Sequence, residues 1–142
     1  MGSTQEIFTL NVKAARLSRA NLEEADLSRA KATGVDFRQA NLHGAKLHFT
    51  QLDNANLSGA DLTDADLSHA NLRGARLDNC RLTGTVFDGA DLSGANLSNA
   101  EGLDVEALQG SFGDLTTVLP KGVSAPAHWH TEAPARLDST TK

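Results

Sequence analysis

Five histidines, a single cysteine and a scatter of aspartates are the side chains in this sequence with chemistry to offer. His128 and His130 form a His-x-His pair, while His43, His48 and His69 recur through the middle of the chain. Zinc takes three or four ligands at about 2 Å with oriented outer partners, and no cysteine or carboxylate cluster completes either group. Solvated histidines, with no metal and no cofactor, are the expectation. Cys80 as a nucleophile would need a nearby base and an exposed sulfur. Asp64 and Asp66 could divide acid and base roles only in a cleft that gives two carboxylates different environments. The glycines of the central region recur at multiples of five and not as a phosphate-cradling loop.

The elements that must position these residues share one period. From Ala15 to Ala100 a five-residue unit, Ala-(Asp/Asn/Lys/Arg)-Leu-x-x, repeats without insertion. Five residues of α-helix turn through about 500°, so its leucines would never form a stripe. On a flat strand an odd period sends alternate leucines to opposite faces. A coil that turns a corner every five residues keeps the leucines on one side. Ala and Leu, two apart, then point inward, and the remaining three positions point out. The last outward position holds Gly34, Gly44, Gly59, Gly74, Gly84, Gly89 and Gly94, or Asn54, Asn79 and Asn99, which tolerate the positive φ of a tight corner. Cys80 falls in an Ala-sized inward slot, which argues against a nucleophile. Thr50 and Thr85 fall in the same column, and their hydroxyls need a backbone partner. Ala32 replaces a Leu in the coil where Val35 and Phe37 exceed the repeat's usual size, so volume lost on one side is regained on the next. Period five alone does not separate a three-sided coil from a four-sided one.

Units such as Ala60-Asp61-Leu62-Thr63-Asp64 and Ala90-Asp91-Leu92-Ser93-Gly94 resemble the pentapeptide-repeat family, over roughly two-thirds of the chain. The resemblance implies an all-β fold, a right-handed quadrilateral β-helix of four units and twenty residues per coil. Ladders such as Leu17/Phe37/Leu57/Leu77/Leu97 would then line its interior. Asp or Asn before each Leu is expected to bond the backbone of neighbouring coils.

The expected organisation is a β-helix over 1–101 with an irregular first coil, a cap and strap over 102–130, and a disordered tail over 131–142. Leu103 to Gly110 reads as a short helix with Asp104 as N-cap, a Leu103–Leu108 staple and Gly110 as stop. Its apolar face, with Phe112, is expected to cover the open end of the solenoid. The following stretch resembles a tail found on some bacterial members of that family, matched by Gly113, Asp114, Thr117, Leu119, Pro120, Gly122, Pro126, His128 and Trp129. It reads as a strap that docks Trp129 on a solenoid face or on a second subunit. Phe8, Phe49 and Val86 are outward apolar residues on one face, the expected seat of that strap. With Phe112 and Trp129 they form the candidate interaction or dimer surface.

Aromatic residues make up 4% of the 142 and hydrophobic ones 39%, so the core is aliphatic. No apolar run spans a membrane, no secretory leader is visible, and a lone cysteine suits a cytoplasmic protein. Some pentapeptide-repeat proteins mimic duplex DNA and bind type II topoisomerases such as gyrase, protecting against quinolones. Duplex DNA carries one charge per about 1.7 Å, whereas residues 6–101 hold 13 acidic and 10 basic side chains. The expectation is therefore a scaffold without catalytic activity that works by protein–protein contact, with an unnamed protein partner or a homodimer and no direct nucleic-acid binding. The topoisomerase-directed DNA mimic is the alternative.

Overall fold

The computed structural model describes residues 10–130 of the chain. No extended strand forms among them. Single-residue parallel bridges pair each residue before an inward Leu with its counterpart twenty residues on: Asn11 with Lys31, Lys31 with Gln51, Gln51 with Asn71, Asn71 with Asp91. Three further ladders begin at Arg16, Asn21 and Asp26, so each coil has four sides. We number the faces 1 to 4 in that order. With about 4.8 Å between coils, the rod is about 25 Å long.

Ala, Asp, Asn and Gly are weak strand formers, and the backbone bonding shows what holds them. In the unit Ala60–Asp64 all five N–H groups are satisfied. Ala60 N–H closes the preceding turn on Leu57 O at 3.0 Å, and Asp61 N–H reaches back one coil to Ala40 O at 3.0 Å. Leu62 and Asp64 donate forward one coil, to Arg81 O and Thr83 O, each at 2.9 Å. The fifth group, Thr63 N–H, is taken by Oδ1 of Asp61 at 3.0 Å. That last bond explains the Asp/Asn column and corrects the expectation that it bonds neighbouring coils. The side-chain oxygen folds back on its own turn and forms an Asx turn with the residue two ahead. Asn21, Asp36, Asn41, Asn56, Asp66 and Asn96 do the same. Where Lys31 or Lys46 stands instead, the backbone bonds on either side persist and this one is forgone.

The second residue after each inward Leu has positive φ at every corner from Ala14 to Asn99, Arg29 (64°) and Phe49 (59°) included. This is the third residue of a type II turn, where Gly or Asn is the usual solution. Part of the reason some corners must be Gly lies one coil below. A Cβ on Gly89 would run into the ring of His69, and one on Gly44 into the carboxylate of Glu24.

The interior is filled. The Ala and Leu columns from Ala30 to Leu97 are buried, Ala32, Val35 and Phe37 among them. Thr50 and Thr85 donate their hydroxyls to Leu27 O (2.9 Å) and Leu62 O (2.8 Å).

Past Glu101 the expected cap proves to be a continuation of the coil. One added residue, at Gly102 (φ 84°), shifts the register. Leu103 and Leu108 then lie buried 21 residues after Leu82 and Phe87. Phe112 pairs with Asp91, and Val118 pairs with Asn96 after a second added residue. Thr117 Oγ1 donates to Leu92 O at 2.8 Å, repeating the bond made by Thr50 and Thr85. The helix shrinks to a 3₁₀ turn, Val105–Leu108, with Asp104 accepting from Ala107 N–H at 3.1 Å. A second 3₁₀ turn, Ala127–His130, ends the strap.

Candidate interaction surfaces

Phe49 stands at a corner of face 4, 45% exposed. The residues twenty before and twenty after it stack on its two faces. Arg29 Cζ lies 4.7 Å from its centroid, and the His69 ring lies parallel at 4.7 Å and 13°. The positive-φ corners aim their side chains along the rod axis, which makes this stack. His48 meets Phe49 edge-on at 6.1 Å. Val86 is 39% exposed on the same face, and the strap does not cover either residue. Phe8, the third member expected there, lies outside the described residues.

Trp129 is buried in its own chain, only 3% exposed. It does not seat on the Phe49 face, and the reason is a missing side chain. Ser111-Phe112-Gly113 occupies the Ala-x-Leu positions of the last rung on face 1, and Gly113 leaves the Leu slot empty. The indole fills it: a Cβ on Gly113 would stand 2.6 Å from Trp129 Cε3. Ser111 O, the counterpart of the Ala90 O that accepts Phe112 N–H, accepts from Trp129 Nε1 at 3.2 Å and lies 2.7 Å from His128 Nε2. Pro126 O takes the Trp129 N–H. Phe112 sits opposite to expectation. It is in the outward position of that rung and 46% exposed, so it does not cover the end; Leu103, Leu108 and Trp129 do.

The chemical candidates are not brought together. His43 Nε2 reaches only Asp64 Oδ2, at 3.9 Å. Among the described residues no group of three His, Cys, Asp or Glu could hold a metal ion. Cys80 is buried with Sγ 2.9 Å from Leu57 O, and burial pushes its pKa up to about 12. Burial works to raise the Asp61 and Asp66 carboxyls, but hydrogen bonds from Thr63 and Ser68 outweigh it and hold both below the usual range. Asp36 is drawn down to about 2 by the side chain and then the backbone N–H of Arg38. All are turn-formers held ionised, the opposite of a general acid. A shallow open recess of about 640 Å³ on face 2 is lined by Arg19, Arg38, Gln39, Ser58 and Asn79, with no carboxylate or imidazole. No helix among the described residues is long and apolar enough to cross a membrane.

Sequence reasoning missed two features. The twenty-residue spacing of Arg29, Phe49 and His69 was the available signal for the stack. Leu115 and Val118, exposed with Phe112 where the coil ends, were hidden because the register slips twice before them.

Residues 20–59 and 60–99 match the family profile for pentapeptide repeats, in eight copies. No curated protein sequence matches the chain. Among solved structures, a pentapeptide repeat protein (Rfr23) from the cyanobacterium Cyanothece 51142 is 28% identical with a TM-score of 0.70, over 78% of this chain and 88% of that one. A trypsin-treated R167E form of QnrB1, a plasmid-mediated fluoroquinolone resistance protein, is 25% identical with a TM-score of 0.60, over 81% of this chain and 61% of that one. The four bridge ladders, the filled Ala and Leu columns and these likenesses agree on a right-handed quadrilateral β-helix, and the chain belongs to the pentapeptide-repeat family.

Proposed function

We propose that this protein is a scaffold without catalytic activity that acts by protein–protein contact, with face 4 as the contact surface. One observation carries the reading: Phe49 and Val86 are exposed on a face whose other outward positions are polar or charged. Elsewhere the interior is filled, the recess on face 2 is shallow and lacks a carboxylate or imidazole, and the carboxylates of Asp36, Asp61 and Asp66 serve turns. Burial of two such side chains against a partner removes apolar surface worth about 25 cal/mol per Å². A cytoplasmic location belongs to the same reading, supported by the single buried thiol.

The test is a capture experiment with the wild-type chain and a Phe49→Asn/Val86→Lys double variant as baits. Asn suits the positive φ at 49, and Lys already stands in the column of Val86 at Lys46, so the fold is preserved. A partner retained by wild type and by an Asn71→Lys control on face 1, but lost by the double variant, supports the reading. Equal retention by both contradicts it.

The DNA-mimic alternative has the QnrB1 likeness in its favour and the charge distribution against it. Residues 13–46 carry seven basic and four acidic side chains, the reverse of a polyanion. Protection of gyrase supercoiling from a quinolone by the purified chain would overturn the preference.

A further inference from the structure

We propose that face 4 is where two copies of this chain pack side by side, axes antiparallel, about a two-fold axis through the coil of Asp66. The inference rests on reading face 4 as a contact surface and names its occupant.

Order along face 4 decides the pairing. Its coils present Asp26 and Arg29, then Lys46, His48 and Phe49, then Asp66, Ser68 and His69, then Val86, Asp88 and Gly89. Phe49 and Val86 lie one coil to either side of Asp66. A 180° rotation about an axis through Asp66, perpendicular to the rod, reverses the coil order and keeps each column facing itself. It therefore sets the coil of Phe49 against the coil of Val86 twice over, as an isologous interface requires. His48 comes to face Asp88, Val86 comes to face Lys46, and Phe49 meets the corner of Gly89, which has no side chain of its own. Asp66, on the axis, faces its own copy, and a Lys46 one coil away on each chain offsets that like-charge pair.

Charge selects this orientation over the others. On face 4 itself the first two coils hold Arg29 and Lys46 against Asp26, and the next two hold Asp66 and Asp88 with no Lys or Arg. Antiparallel rods set the basic half of each copy on the acidic half of the other, whereas parallel rods set like on like. Complementary fields of this kind fix orientation more than they add affinity. Within the regular coils the only two exposed large apolar side chains among the described residues, Phe49 and Val86, both stand on this face. A face of this length buries on the order of 1,000 Å² in total, the low end of specific interfaces. The dimer is accordingly weak and salt-sensitive.

Sedimentation velocity on the full chain tests this, from about 10 to about 500 µM protein in about 20 mM and about 500 mM salt. Wild type is expected to shift from monomer to dimer at low salt, with Kd at least tenfold higher at high salt. Val86→Lys and Phe49→Asn should each raise Kd at least tenfold with unchanged circular dichroism, and Val118→Lys, at the end of the rod, should not. A wild-type monomer throughout overturns the pairing. Dissociation by Val118→Lys but not by Val86→Lys overturns the assignment to face 4. A wild-type monomer whose capture of a separate protein is lost in Val86→Lys overturns self-pairing while the contact-surface reading stands.

Discussion

Trp129 occupies the place of the leucine that Gly113 does not supply. The ladder Val12, Ala32, Leu52, Leu72, Leu92 thus ends on a side chain borrowed from 16 residues further along the chain. The same indole and its neighbour His128 engage Ser111 O, the carbonyl that a further coil would otherwise use. An open sheet edge invites pairing with another chain, and here one strap closes both the core and part of the edge.

The two residues should therefore be strongly coupled. Trp129→Ala alone should cost about 3–5 kcal/mol of unfolding free energy. Gly113→Leu alone should cost about 1–3 kcal/mol, because the slot is already taken. Combined, they should recover stability relative to Trp129→Ala alone, since the introduced leucine completes the ladder in cis. A double-mutant cycle from urea unfolding measures the coupling.

The corner column makes a second prediction. Gly89→Ala should destabilise by about 1–2 kcal/mol, because φ is 74° and the His69 ring stands in the way. His69→Gly in the same background should remove most of the steric part and leave the backbone part. Melting temperatures of the three variants separate the two contributions.

Much of this was legible in the residues themselves. The period of five fixed the coil, the inward columns and the inert setting of Cys80, because stacking enforces one register on every unit. The Asx turns were misassigned because sequence spacing does not say whether a short carboxylate bonds its own turn or the next coil. The strap reads as a strap from its residues, but its seat does not. Gly113 looks like a turn residue until the single residue added at Gly102 places it in a leucine slot.

Acid should destabilise the fold in a defined window. The carboxyls of Asp36, Asp61, Asp66 and Asp114 lie below their ordinary value in the folded chain. A depressed folded pKa contributes stability that is present above the unfolded value of about 4 and is lost as pH falls through the folded one. The melting temperature should hold steady from pH 7 to 5 and fall between about pH 4 and 2. Asp66→Asn keeps the turn bond, as Asn21 and Asn41 do, and should flatten the fall; an unchanged profile would count against the linkage.

Cys80 should be silent in the native state. Its thiol is buried and raised to about 12, so a disulfide reagent should label it only at the rate of global unfolding. Cys80→Ala restores the residue usual in that column and should change stability by less than about 1 kcal/mol.

The central claim, that the rod works through face 4, is tested most directly by photo-crosslinking. A benzophenone side chain is placed at Val86, at Arg81 on face 3 or at Asn71 on face 1, one position at a time in the full chain. An adduct, with a second copy or another protein, should form from position 86 and not from 81 or 71. No adduct at 86, or equal adducts from all three, would contradict the account.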